Sequence, residues 1–174
     1  MDQHSSLAFT TYVDSPLGLL EISGDEEALH SVLFTGAKHK PAPGKAPVPG
    51  DAPKPVQRCV AQLKAYFEGA LLDFDLSLMP KGTDFQHKVW DLLQEIPYGQ
   101  TISYLELAKR LGNTKAIRAV GLANGSNPIA IIIPCHRVIG SDGKLVGYGG
   151  DLWRKAWLLQ HELEHAPVPQ GRLF

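Results

Sequence analysis

Over roughly its first third the chain places apolar residues in short alternating runs, the period of half-buried β-strands. Leu7 to Val13 and Leu19 to Ser23 are two such runs. Between them stands Ser15-Pro16-Leu17-Gly18, whose residue types favour a tight turn, so a hairpin is predicted at the start. Leu29 to Phe34 supplies a third strand. Residues 37–55 interrupt the pattern with proline, glycine, lysine and alanine, a composition that buries too little apolar surface for a regular element, and predict a surface loop. From Pro55 the apolar positions shift to near-helical spacing at Val56, Val60, Leu63, Tyr66 and Phe67, with proline in the first turn and Gly69 beyond the end. Cys59 lies within this helix as a small packing residue. Alternation returns from Leu71 to Leu78 and predicts a closing strand, so residues 1–80 form a small α+β unit.

Residues 81–174 read as a second, mostly helical unit. Thr83 or Asp84 caps a helix carrying Phe85, Val89, Leu92 and Leu93, and Pro97-Tyr98-Gly99 turns the chain. Ser103 and Glu106 stand at capping-box spacing and open a helix that stops at Gly112. Thr114 then caps a further helix to about Asn124. Two short helices across a glycine-containing turn are a helix-turn-helix signature, in which the second helix is the candidate to enter a DNA groove. That helix surrounds the lone Arg118 with Ala116, Ala119, Gly121, Ala123 and Gly125. Small residues serve close helix packing, and they equally let a backbone lie tight against DNA while one long cation enters the groove.

After it comes an apolar run bounded by Pro128 and Pro134, read as a short buried strand or extended segment, which delivers Cys135, His136 and Arg137 in succession. A buried cysteine is usually inert packing. Followed directly by a histidine, it is also a candidate nucleophile, because an imidazole can accept the thiol proton.

Composition narrows the function classes. The chain of 174 residues has no long apolar span and no charged-then-apolar leader, so neither a membrane span nor a secretory signal is expected, and the cytoplasm is the expected location. Two cysteines, Cys59 and Cys135, are too few for a disulfide framework and lack the paired spacing of a structural zinc site. The formal net charge of −1 is not that of a nucleic-acid binder. The charge is uneven, however: residues 1–80 hold six Lys and Arg against ten Asp and Glu, whereas residues 81–174 hold eleven against eight. A DNA-binding surface therefore belongs to the second half, and its modest excess predicts salt-sensitive binding.

Ser103-Tyr104-Leu105-Glu106-Leu107-Ala108, Ala116-Ile117-Arg118-Ala119-Val120-Gly121, Asn127-Pro128, Pro134-Cys135-His136-Arg137-Val138, Gly147-Tyr148-Gly149-Gly150 and Trp157-Leu158-Leu159-Gln160-His161-Glu162 occur in that order. Together they resemble the methylated-DNA-protein-cysteine methyltransferases, or O6-alkylguanine-DNA alkyltransferases. The resemblance is strong from about Thr83 to Glu162, and Ser15 to Gly18, Tyr66 to Gly69 and Phe85-Gln86 extend it over nearly the whole chain. It implies a ribonuclease H-like N-terminal domain and a winged-helix-like C-terminal domain. It further implies irreversible, single-turnover transfer of an alkyl group from O6-alkylguanine, and from O4-alkylthymine, in double-stranded DNA to Cys135. The protein would act as a monomer on the minor groove, with no cofactor, no metal and no membrane.

The same resemblance distributes the roles. His136 would activate the thiol through a bridging water, and Glu162 would orient the histidine. Tyr104 would contact phosphate and donate a proton to the base, and Asn127 would hinge the helix-turn-helix to the active-site segment. Arg118 would be the finger that replaces the extruded nucleotide. Val138, Tyr148 and Gly149 would wall the pocket, and Asn113 and Ser141 would contact the DNA backbone. The family often has glycine where this chain has Asp151, and an aspartate there can cap the last helix.

Other chemistries compete. His161-Glu162-Leu163-Glu164-His165 satisfies HExxH, which on a helix can pair two zinc ligands with a general base, so a zinc hydrolase is one alternative. A cysteine hydrolase using Cys135, His136 and Glu162 is another, but leaves the helix-turn-helix unexplained. A non-catalytic protein that binds alkylated DNA is a third, but would not need Cys135.

Overall fold

The computed structural model describes residues 8–35, 49–146 and 151–167. The loop expected over 37–55 lies outside them except for its end, where Pro49–Asp51 make a single 3-10 turn before the first helix. Strands β1 (Phe9–Val13), β2 (Leu20–Gly24) and β3 (Leu29–Phe34) form an antiparallel meander in that order. The first connection is the predicted turn: the Ser15 hydroxyl donates to the Gly18 carbonyl at 2.6 Å and accepts from the Leu17 amide, and Gly18 takes φ +99°, open to it because it lacks a Cβ. Helix α1 (Lys54–Phe67) packs Val56, Cys59, Leu63 and Tyr66 onto the sheet. Each of its large apolar side chains, once fully buried, contributes about 1.5–3 kcal/mol of transfer free energy.

The expected strand from Leu71 to Leu78 is not a strand. Its backbone meets β3 at one parallel bridge, Leu29 to Leu78, with the Leu29 amide on Ser77 O and the Met79 amide on Leu29 O. Burial does alternate along the segment, but the edge it follows is shared. Farther along β3, Val32 donates to Pro128 O and accepts from the Ala130 amide. One strand edge thus receives two separate segments, and the second of them comes from the other half of the chain. Pairing both segments also protects an edge that would otherwise be open to aggregation.

The second half consists of α2 (Asp84–Leu93), β4 (Ile102–Ser103), α3 (Tyr104–Leu111), α4 (Ile117–Gly125), β5 (Val138–Ile139) and α5 (Leu152–His165). Thr83 and Gln86 form a reciprocal capping box on α2. The Ser103 hydroxyl caps α3, and Gly112 ends it at φ +90°. Glu106 turns to Arg110 at 3.2 Å instead of completing the box. Asn113, not Thr114, caps the 3-10 turn over Thr114–Ala116 that leads into α4. Trp90 of α2 donates its indole N–H to Ala123 O at 2.9 Å and locks α4 in place. Strands β4 and β5 pair in parallel. A single hydrophobic core runs from β2 and α1 through α2 and α3 to the Ile129–Ile133 segment and Leu158.

Asp151 precedes α5 at φ +74°, ψ 145°, and its side chain makes no cap. Its carboxylate instead reaches Arg154 at 3.1 Å on the surface. This backbone region belongs almost only to glycine and costs other residues about 1–3 kcal/mol. Asp151→Gly is therefore expected to stabilise the fold by about 1 kcal/mol after loss of the exposed pair and the added freedom of the unfolded chain. Urea unfolding measures it, and a destabilised variant would show that the Arg154 contact outweighs the strain.

Candidate active site

Between its two prolines the apolar run coils tightly instead of extending. The Ile132 amide bonds Ala130 O at 2.8 Å, the Ile133 amide bonds Ile129 O at 3.1 Å, and Ile131 sits at φ +72°. A β-branched residue in that region is strained, and here it is held by its surroundings. Asn127 is the brace. Its Oδ1 accepts from the Ile129 amide at 2.9 Å, and its Nδ2 donates to Ile133 O at 2.8 Å. One side chain thus holds as a coil the run that reads from sequence as a short buried strand or extended segment. A fully buried run has no alternation to separate a strand from a coil.

Cys135, His136 and Arg137 follow in a single 3-10 turn, which spreads three successive side chains around the axis. Cys135 is 5% exposed, and His136 and Arg137 are likewise buried. Two of the three converge on Glu162 from α5. His136 Nε2 lies 2.7 Å from Glu162 Oε2, Arg137 Nε donates to Oε1 at 2.7 Å, and Arg137 Nη2 donates to Oε2 at 3.0 Å. Tyr66 of α1 donates its hydroxyl to Oε2 at 2.7 Å, and the Gly99 amide approaches Oε1 at 3.4 Å. The remaining arm of Arg137 donates to Ile96 O at 2.6 Å. Burial alone would raise the Glu162 pKa, but the His136 and Arg137 contacts outweigh it and hold the carboxyl well below the usual carboxylate range. Glu162 is thus no solvated helix carboxylate.

An anionic carboxylate only accepts, so His136 Nε2 must carry the proton. Burial lowers the His136 pKa, and Arg137 and Lys155 lower it further against the pull of Glu162. The ring is therefore neutral, with a lone pair on Nδ1, a buried atom without a hydrogen-bond partner among the described residues. This is the electronic state of a general base.

The two thiols have different surroundings. Burial pushes Cys59 up to about 12 with nothing to oppose it. Burial also raises Cys135, but a hydrogen bond from Asn127, the charge of Lys155 and the amides of Cys135 and His136 all favour its thiolate. Lys155 is fully buried on α5, where its Nζ donates to Val138 O at 2.5 Å and Val146 O at 2.9 Å. Burial brings its pKa down to about 8. The Tyr104 hydroxyl donates to the same Val146 carbonyl at 2.9 Å, with the Lys155 ammonium 5.7 Å from its ring. Burial raises the Tyr104 pKa, Asn124 opposes, and Cys135 adds to the rise, which places this ring near the thiol. Asn124 also donates to Cys135 O at 3.3 Å.

The other expected residues fall into two groups. Val138 is fully buried beside the reactive turn, whereas Arg118, Asn113 and Ser141 are exposed, Arg118 on α4, Asn113 at its approach and Ser141 on the turn after β5. Arg118 has no hydrogen bond or ion pair among the described residues. Tyr148 and Gly149 lie outside the described residues. The HExxH residues are engaged elsewhere: the His161 and His165 rings lie 4.4 Å apart, but His161 Nε2 donates to Tyr66 O at 2.7 Å, His165 Nδ1 donates to His161 O at 2.7 Å, and Glu162 points to Arg137. Among the described residues no three potential ligands cluster for a metal.

Comparison with known proteins agrees with this geometry. The family model for the 6-O-methylguanine DNA methyltransferase DNA-binding domain matches residues 84–164, and that for its ribonuclease-like domain matches residues 8–80. The methylated-DNA-protein-cysteine methyltransferase of Mycolicibacterium paratuberculosis is 48% identical over 90% of this chain and 93% of its own. Its counterpart in Methanosarcina acetivorans is 50% identical over 86% and 94%. This chain belongs to the methylated-DNA-protein-cysteine methyltransferase family. The crystal structure of Mycobacterium tuberculosis O6-methylguanine methyltransferase superposes with a TM-score of 0.80 at 46% identity, covering 93% of this chain and 96% of that one. The crystal structure of Mycobacterium tuberculosis OGT in complex with DNA gives a TM-score of 0.79 at 47% identity, covering 91% of this chain and 95% of that one.

Within this methyltransferase, four site residues receive no role from the motifs, although Tyr66 and Arg137 stand inside them: Tyr66, Arg137, Lys155 and Asn124. A signal for Lys155 exists in the sequence, because it shares one face of α5 with Leu158 and Glu162 at spacings of three and four.

The electrostatics set the pH dependence. Glu162 has a depressed pKa, so its contribution is complete above the ordinary value of 4.5 and is lost as pH falls below it. His136 also has a lowered pKa, so its neutral form contributes above 6.5 and loses that contribution below. Both act in one direction, and stability is expected to fall as pH drops from 6.5 through 4.5. Glu162→Gln is expected to cost about 3–5 kcal/mol at neutral pH, since Arg137 stays buried without its partner. It should also remove the part of the acid slope that lies below 4.5. Urea unfolding across this range tests both, and wild-type stability and slope in the variant would contradict the network.

Proposed function

We propose that this chain repairs DNA by direct reversal, moving the alkyl group of O6-alkylguanine irreversibly to Cys135. The observation that carries this reading is a buried thiol directly followed by a neutral imidazole whose tautomer is fixed by an ionised carboxylate. The relatives' names supply the substrate class, and the Mycobacterium tuberculosis complex supports duplex DNA as the partner. O4-alkylthymine presents the same kind of O-alkyl carbon and is the second substrate we assign.

Displacement at a saturated carbon needs a soft nucleophile. The Cys135 proton passes to His136 Nδ1, through a water, and the thiolate attacks the alkyl carbon. The carbon–oxygen bond breaks, a thioether forms, and the departing base takes its electron pair and one proton. Tyr104, held by the Val146 carbonyl near the thiol, is the donor we assign to that proton. Asn127 and Lys155 stabilise the thiolate before transfer. Glu162 stays ionised throughout, orienting the imidazole and compensating its transient charge. Val138 walls the pocket. Arg118 on α4 enters the minor groove and fills the place of the extruded nucleotide, and Asn113 and Ser141 contact the backbone. The chemistry requires a reducing compartment in which Cys135 stays a thiol, as the cytoplasm provides.

A thioether gives water no leaving group, unlike the thioester of a cysteine hydrolase, so each molecule acts once. Repair of a methylated duplex is therefore expected to plateau at one equivalent per protein, with one methyl group on Cys135 and none on Cys59. Peptide mass spectrometry reads both. Cys135→Ser is expected to bind the duplex and transfer nothing, because a hydroxyl ionises far less readily than a thiol. Turnover beyond one equivalent, or label on Cys59, would overturn the mechanism.

A further inference from the structure

Arg118 is not the only long side chain that leaves the outer face of α4. At 3.6 residues per turn, Arg118, Ala119, Leu122 and Gly125 occupy about one third of the helix circumference, opposite the buried Val120, Ala123 and Asn124. All four are exposed, and two of them present little more than backbone. Leu122 is 72% exposed, more than any other large apolar side chain among the described residues. It stands one turn beyond Arg118, so the two project side by side from an otherwise flat surface.

The surroundings indicate what this leucine meets. Lys109, Arg110, Lys115 and Arg118 are exposed on α3, the turn and α4, with Glu106, paired to Arg110, as the acidic residue among them. An apolar side chain beside Arg118, on a pair of helices whose exposed charges are mostly cationic, complements a surface with anionic rims and an apolar floor. The minor groove of duplex DNA is such a surface: phosphates line its edges, and sugars and base edges form its floor. A flat helix can approach a groove about 6 Å wide only where its side chains are small, and any long ones must then enter. The spacing of residues one helical turn apart, about 5–6 Å, spans between one and two base steps of about 3.4 Å.

We infer that Leu122 is a second groove-entering residue. It packs between the sugar walls beside the step that Arg118 occupies and keeps the stack parted while the alkylated nucleotide is outside the helix. Arginine supplies charge and reach, whereas leucine removes apolar surface from water and partly unstacks the neighbouring step. This inference rests on the DNA-repair reading above.

The test compares wild type, Leu122→Ala, Leu122→Met and Arg118→Ala on three substrates. These are free O6-benzylguanine, a duplex with O6-methylguanine opposite cytosine, and the same duplex with an abasic site opposite the lesion. Leu122→Ala is expected to keep the melting temperature and the rate with the free base, and to slow transfer from the paired duplex about tenfold, a typical scale for a lost wedge. The defect should shrink opposite the abasic site, where extrusion is cheaper. Leu122→Met should stay near wild type, because it keeps an apolar side chain of similar volume. Wild-type rates for Leu122→Ala on the paired duplex, with Arg118→Ala slow, would sink this inference and leave the repair reading standing. Equal losses on the free base would make Leu122 structural. Failure of wild type on all three substrates would remove the repair reading and this inference together.

Discussion

One buried carboxylate organises this molecule. Glu162 is 1% exposed, and an isolated charge at that depth is far too costly to persist. It is ionised because a guanidinium, an imidazole, a phenol and a backbone amide all direct protons at its two oxygens. The donors come from both halves of the chain: Tyr66 from α1, Gly99 from the turn after α2, and His136 and Arg137 from the reactive turn. Satisfying one charge therefore fixes how the halves meet. The coiled Ile129–Ile133 segment follows from the same constraint, since it must hook onto β3 at Val32 and still deliver Cys135, His136 and Arg137 into one turn.

The chemistry depends on how that charge is divided. Arg137 neutralises Glu162 well enough to keep it ionised, yet its own charge and that of Lys155 discourage protonation of His136. A carboxylate alone would pull the imidazole toward its cationic form, in which it could accept no proton from a thiol. Lys155 acts from the far side, joining the carbonyls of Val138 and Val146 while favouring the Cys135 thiolate. Cys59 is the contrast to the proposed acceptor, a buried thiol with nothing around it to favour the thiolate.

Much of this is legible in the sequence, and the reasons differ by element. The strands from Phe9 to Phe34 and helix α1 carry their own periodicity, and Thr83 and Ser103 cap α2 and α3, so local rules suffice there. The 71–78 segment departs from the expected strand because alternation reports burial of one face and not hydrogen bonding to a neighbour. The run before Cys135 departs from it because an unbroken apolar stretch has no period at all. Asp151 takes a glycine-like backbone without capping, which no composition rule reveals. The roles of Cys135, His136 and Glu162 are accessible through motif resemblance, while those of Tyr66 and Arg137, which stand inside the motifs, are not, because they exist only where elements distant in sequence meet. HExxH shows the reverse: the two histidine rings lie 4.4 Å apart, but the packing of α5 commits His161 to Tyr66 O and turns Glu162 to Arg137.

Everything in the site turns on Glu162 holding His136 as a neutral base, with its proton on Nε2 and its lone pair on Nδ1. Nitrogen NMR of the protein labelled in its histidine rings, followed across the pH range, reads tautomer and charge directly. The expected result is a His136 ring with a protonated Nε2 and an unprotonated Nδ1 at neutral pH, titrating below the ordinary histidine value of 6.5. An imidazolium at neutral pH, or a neutral ring protonated on Nδ1, would contradict it.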